Sequence, residues 1–100
     1  MIRWQRSIRS ARGKNFEAVQ WAKEVTDYAN SKQPNYKLQA FSSAFGDVSM
    51  LVWHADFEDL AAFDRYGQFF NTDPGYLELL KKATDLFIEG SVYDSAFESL

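Results

Sequence analysis

The stretch from Val48 to Phe97 constrains the fold of this chain more than any other part of it. It reads as a strand, an acidic helix start, a second helix start at Asp73-Pro74-Gly75, and a closing segment, Gly90-Ser91-Val92-Tyr93-Asp94. Residues 48–55 alternate as a strand does. Val48, Met50, Val52 and His54 share one side, and Ser49, Leu51, Trp53 and Ala55 the other. Asp56 suits the N-cap of a following helix, and Glu58 and Asp59 favour the positive end of its dipole. Leu60, Phe63, Gly67 and Phe70 make the inner stripe of that helix. Asn71-Thr72-Asp73-Pro74 breaks it and starts another, with Asp73 as cap and Pro74 at the first helical position. Tyr76, Leu77, Leu80, Ala83 and Phe87 continue an apolar face, and residues 88–94 form the last strand.

The first half supplies the remaining elements. Ile2, Trp4 and Ile8 alternate with Arg3, Gln5, Ser7 and Arg9, a strand pattern that only Arg6 interrupts. Arg12-Gly13-Lys14-Asn15 is a turn with Asn15 as candidate N-cap. A helix over 16–31 places Ala18, Trp21, Ala22, Val25, Tyr28 and Ala29 on one face and stops before Pro34. Residues 36–45 form a strand joined to the next by a tight Gly46-Asp47 hairpin.

The order is therefore β-α-β-β-α-β with a split second helix. It predicts a single α+β domain over residues 1–100, with a ferredoxin-like, antiparallel four-stranded sheet. Two helices can cover only one face of a four-stranded sheet, so the other face must stay wet or meet a partner. Phe41, Leu51, Trp53 and Tyr93 are too apolar for a fully wet second face, so two such sheets closing on each other in a homodimer are the economical solution.

Composition narrows the function classes. The chain is 46% hydrophobic and 17% aromatic, which implies an aromatic-rich core or a surface covered by a partner. It contains no cysteine, which excludes disulfides and thiolate chemistry and suits a cytoplasmic location. No apolar run approaches the roughly 20 residues that span a bilayer, so no membrane partner is expected. The net charge of −3 disfavours general nucleic-acid binding, although Arg3, Arg6, Arg9, Arg12 and Lys14 all precede the first acid, Glu17. An RNA-recognition domain shares the element order. However, its basic-glycine-aromatic signature is missing, and two helical segments before the last strand exceed what it needs.

Three segments carry a family resemblance. They are Leu51-Val52-Trp53-His54-Ala55-Asp56-Phe57-Glu58-Asp59-Leu60-Ala61, Asp73-Pro74-Gly75-Tyr76 and Gly90-Ser91-Val92-Tyr93-Asp94. In these the chain resembles the dimeric α/β-barrel superfamily, in particular small NIPSNAP-like and antibiotic-biosynthesis-monooxygenase-like domains. The resemblance implies a homodimer with a pocket between each sheet and its helices, or inside the barrel. It also implies one of two kinds of role: a cofactor-independent oxygenase-like enzyme, or a binder of a small aromatic or apolar ligand. A non-catalytic interaction module, whose apolar sheet face serves only dimerisation, is the alternative.

His54, the only histidine, is a candidate acid or base, against a structural role bonded to a neighbouring polar group. The resemblance also raises His54 as a ligand to haem iron, but the haem-degrading members of that superfamily usually place their axial histidine on a helix, whereas His54 lies on a strand. Trp53 is a candidate for positioning a planar substrate, against simple packing. Trp4, Phe41, Tyr66, Phe69 and Phe70 would complete an aromatic wall, with Arg3 or Arg6, Gln5, Gln39 and His54 as its polar groups. His54, Asp56, Glu58 and Asp59 resemble a metal cluster only superficially. The acids are better explained by the helix start, and one imidazole is thin for zinc.

Overall fold

A computed structural model describes all 100 residues. The chain runs β1 (Ile2–Arg9), α1 (Asn15–Lys32), β2 (Gln39–Ser42), β3 (Met50–Phe57), α2 (Leu60–Asn71), α3 (Pro74–Lys82) and β4 (Tyr93–Glu98). The four strands form one antiparallel sheet in the order β2-β3-β1-β4, the ferredoxin-like arrangement with its second helix split. The sheet of one chain is open and does not close on itself into a barrel.

Register decides which side chains meet the helices. β1 pairs with β3 so that Ile2 faces Phe57, Trp4 faces Ala55, Arg6 faces Trp53 and Ile8 faces Leu51. These residues lie on the covered face, where Leu51, Trp53, Ala55 and Phe57 are all buried. The alternate residues Arg3, Gln5, Ser7, Arg9, Met50, Val52, His54 and Asp56 occupy the open face, joined there by Gln39 and Phe41 of β2 and by Tyr93 and Phe97 of β4.

Arg6, the interruption in β1, belongs to the covered face. Its charge is met by Asp94, its partner on β4, through two bonds of 2.7 and 2.8 Å. Helix α1 buries Ala18, Ala22, Val25 and Ala29 as its periodicity predicts, and Thr26 as well. The Thr26 hydroxyl donates to the Ala22 carbonyl at 2.6 Å and accepts from the Trp53 indole at 3.0 Å, tying α1 to β3.

Several boundaries differ from the expected ones, each for a local reason. Asp56 does not cap α2. It remains in β3, bonded to Arg3, and Asp59 is the cap, accepting from the Ala62 amide at 2.9 Å. Asn15 is not a cap either. It begins α1 and accepts a hydrogen bond from Ser10. The tight Gly46-Asp47 hairpin is replaced by a longer connection over 43–49. There the Asp47 carboxylate accepts from the Ser49 amide and hydroxyl and pairs with Arg9, so β3 starts only at Met50.

β2 starts late because the Asn30 amide clamps both backbone groups of Leu38, at 3.0 and 2.8 Å, and holds the chain before it out of the sheet. β4 also starts late. The Phe87 and Ile88 backbone bridges the end of β1, Gly90 turns with φ of 78°, and Ser91 receives the Arg9 amide. The apolar stripe of α2 is Ala62, Phe63, Tyr66 and Phe70, whereas Leu60 is exposed. In α3, Leu79 is the buried residue, Leu77 and Leu80 are exposed, and Phe87 lies beyond the helix end.

Candidate functional site

The helices lie over β1 and β3 and leave the covered face incompletely filled. A chamber of about 310 Å³ remains between the sheet and all three helices. Its floor is Trp4, Arg6, Ile8 and Trp53. Trp21, Val25 and Ala29 of α1, Phe63, Tyr66 and Phe70 of α2, and Tyr76 and Leu80 of α3 form the walls, with Phe87 and Val92 from the last connection. Leu80 and Val92 are exposed at the rim, and the inner-face residues of β4, Asp94, Ala96 and Glu98, are not covered by a helix. All three tryptophans of the chain line this one space.

Edge-to-face contacts hold the aromatic walls. Trp21 meets Trp53 at 6.3 Å and Phe87 at 5.4 Å between ring centroids. Tyr66 meets Phe70 at 4.9 Å, and Phe70 meets Tyr76 at 5.3 Å. Such geometry sets the quadrupoles of neighbouring rings in attractive register and keeps the walls apart as rigid surfaces.

Apart from tyrosine hydroxyls and indole N–H groups, the polar side chains of the chamber are Arg6 and Asn71. The Arg6 guanidinium sits 5.2 Å from the Trp4 ring centroid, a cation–π contact. Its bonds with Asp94 hold it firmly protonated against the cost of burial, and hold the Asp94 carboxyl below its ordinary range. Burial pushes the Tyr66 hydroxyl up to about 12, with Tyr76 nearby adding to the shift.

The opposite face carries a second, polar depression of about 260 Å³, lined by Arg3, Asn35, Lys37, Gln39, His54, Ala55 and Asp56. Arg3 grips Asp56 with bonds of 2.8 and 2.9 Å, lowering the Asp56 pKa. His54 Nε2 lies 2.9 Å from Gln5 Oε1, and the Phe41 ring packs 5.2 Å from the imidazole. Nowhere do three His, Cys, Asp or Glu side chains converge as metal ligands would.

The residues singled out in the sequence thus fall on two sides of the sheet. Trp4, Arg6, Trp53, Tyr66 and Phe70 come together in the chamber. His54, Gln39 and Phe41 stand on the open face with Arg3 and Gln5, so His54 and Trp53 do not share a site. Phe69 lies partly exposed on α2, edge-on to Phe70. The chamber also uses Trp21, Phe63, Tyr76 and Phe87, which the sequence placed only as packing on helix faces. Their aromatic character was visible, but their convergence depends on how α1, α2 and α3 cross the sheet.

No protein-family model matches the sequence, and no curated protein matches it. Solved structures do match. An uncharacterised NIPSNAP domain protein from Burkholderia xenovorans superposes with a TM-score of 0.84 at 12% identity, covering 100% of this chain and 95% of its own. A NIPSNAP family protein with unknown function from Agrobacterium tumefaciens gives 0.82 at 19% identity, covering 97% and 86%. A conserved protein of unknown function from Bacteroides thetaiotaomicron, described as a possible oxidoreductase, gives 0.70 at 14% identity, covering 98% and 96%.

Proposed function

We propose that this chain, built on the small α+β fold of NIPSNAP domains, binds a small, largely apolar aromatic molecule in the chamber between its sheet and helices. We propose further that it does so as a homodimer whose open sheet faces meet. The observation that carries the first reading is the chamber itself. The space opens to solvent at its rim, and an open apolar cleft leaves in contact with water a surface that an occupant would cover. A space of about 310 Å³ walled by rigid aromatic rings, with a single charged side chain, has the size and chemistry of a ligand pocket.

The dimer reading rests on the open face. Phe41, Tyr93 and Phe97 are 47%, 69% and 54% exposed there, alongside Val52 and Met50. A paired surface of this kind would cover them. An oxygenase-like reaction in the chamber would draw on Arg6 and Tyr66 to polarise the substrate, because His54 lies across the sheet. The alternative, a module that only dimerises, draws on the same open face and requires an unused chamber.

The test uses the tryptophans as built-in reporters. Titration with a panel of bicyclic aromatic compounds is expected to change the intrinsic fluorescence saturably and to raise Tm. No saturable change for any member of the panel would remove the ligand-binding reading and leave the interaction module.

A further inference from the structure

We propose that the two copies of the dimer are related by a two-fold axis that runs along the strands, so that β3 lies over the partner's β1 and each Asp56 faces the partner's Arg3. This pairing rests on the reading of the open face as a dimer interface and specifies which residues meet across it.

The strand register arranges the open face in rows. One end row holds Asp56, Arg3 and Phe97, and the next holds Gln39, His54 and Gln5. Phe41, Val52 and Tyr93 follow, and Met50 and Arg9 end the face. Two identical sheets lying face to face have their two-fold axis in the plane between them, either along the strands or across them. An axis along the strands reverses the strand order and keeps every row at its own level, because a two-fold rotation carries no translation. β2 then covers the partner's β4, and β3 covers the partner's β1. Twist turns the edge strands out of line more than the central ones, so the β1–β3 contacts keep the rows best.

About this axis the rows complement one another. Phe41 lies over the partner's Tyr93, and both rings are exposed in the single chain. Arg3 grips Asp56 of its own chain through Nε and Nη2, so Nη1 keeps its donors and the carboxylate keeps free lone pairs. Facing the same pair in reverse, they complete a cluster of four alternating charges. His54 Nε2 is bonded to Gln5 Oε1, which leaves His54 Nδ1 as an acceptor and the Gln5 amide as a donor to meet across the axis. Met50 lies over the partner's Arg9, whose charge Asp47 already meets. Phe97 falls over the depression beside β3, where the late start of β2 leaves room for a ring. An axis across the strands pairs each strand with its own copy and reverses the rows. At full overlap it sets Arg3 against the partner's Arg9, Asp56 against Met50 of the partner subunit, and Phe41 against the partner's Gln39. Sliding by one row removes these clashes but leaves Phe97 and the Arg3 row outside the interface. Charge complementarity therefore selects the first axis, and its role is to fix the register more than to add affinity.

The experiment mixes the wild type with an isotope-labelled chain carrying Arg3→Asp together with Asp56→Arg, and native mass spectrometry counts the dimers after exchange. The swap keeps an ion pair within each chain and opposite charges across each homodimer. The mixed dimer alone sets like charges against each other. Both homodimers are expected to form, and the mixed dimer to fall about tenfold below the half share that random pairing gives. A mixed dimer at its random share would overturn the pairing while the dimer reading stood. Cross-linking decides the matter should the swapped chain not fold. A short bismaleimide is applied to Phe41→Cys, to Tyr93→Cys and to their mixture, in a chain that has no other cysteine. Only the mixture is expected to link. Linking of Phe41→Cys to its own copy, or no linking in a mixture that still has the mass of two chains, would overturn the axis along the strands. A wild-type mass of one chain would overturn both the pairing and the dimer.

Discussion

An arginine on the covered face of a small sheet persists only where its charge is met, and Arg6 shows the cost of that arrangement at the scale of one residue. Removing its partner by Asp94→Ala is expected to destabilise the fold by about 1–2 kcal/mol, discounted for partial exposure of the pair, as read by chemical denaturation. A cost indistinguishable from zero would mean that water replaces Asp94 fully. The same pair sets an acid limit. The Asp94 pKa is lower in the folded chain than its ordinary 3.8, so the unfolded chain binds a proton first as pH falls. The stabilisation is present above the unfolded value and disappears as pH falls through the folded one. Asp94→Asn should therefore flatten the loss of stability below about pH 4. Tyr66 sets an alkaline limit of the opposite sense. Its pKa rises from 10.0 to about 12 on folding, so its contribution is complete below 10 and is lost as pH rises through 12. Tyr28 and Tyr36 are raised as well, so the decisive quantity is the difference between wild type and Tyr66→Phe. Tyr66→Phe should lose less stability across that window, and tyrosinate absorbance should show one fewer late-titrating group.

At the scale of elements, α2 is the helix whose start and interior both bear on the chamber. Its cap is Asp59, while Asp56 serves β3 and Arg3. Asp59→Ala is expected to cost about 1 kcal/mol, the usual worth of a side-chain cap, and to lower Tm by several degrees. Asp56→Ala removes only an exposed ion pair and should change Tm far less. A reversed ranking in thermal unfolding would show that α2 begins earlier than the cap geometry indicates. Within α2, Gly67 lines the chamber, and a Cβ there meets nothing within 4 Å. Gly67→Ala should stabilise the helix by roughly 0.5–1 kcal/mol. Gly67→Phe would place a ring in the same space and is expected to abolish aromatic binding while the far-ultraviolet circular dichroism stays unchanged.

At the scale of the whole molecule, the sheet has one covered and one open face, and the proposed dimer turns on the open one. Light scattering after gel filtration is expected to give the mass of two chains at micromolar concentration. The double substitution Phe41→Asp and Phe97→Asp is expected to give the mass of one, because association would have to take four added carboxylates out of water. A wild-type mass of a single chain would remove the dimer reading. No helix is long and apolar enough to cross a membrane.

Element order and the split second helix were legible in the sequence because they rest on local chemistry: the alternation of Ile2, Trp4 and Ile8, the apolar stripe of α1, and the Asp73-Pro74 helix start. The ends of β2 and β4 and the cap of α2 were not legible. They depend on distant partners, such as Asn30 on Leu38, Arg9 on Asp47 and Ser91, and Arg3 on Asp56. Periodicity shows that Trp53 and His54 point to opposite faces of β3, but not which face the helices cover. Only the tertiary structure decided that Trp53, with Trp4, Arg6, Tyr66 and Phe70, faces a chamber, and that His54, Gln39 and Phe41 lie on the other side. The physical reason is that a strand carries two equivalent faces, and the choice between them is made by packing across the whole sheet.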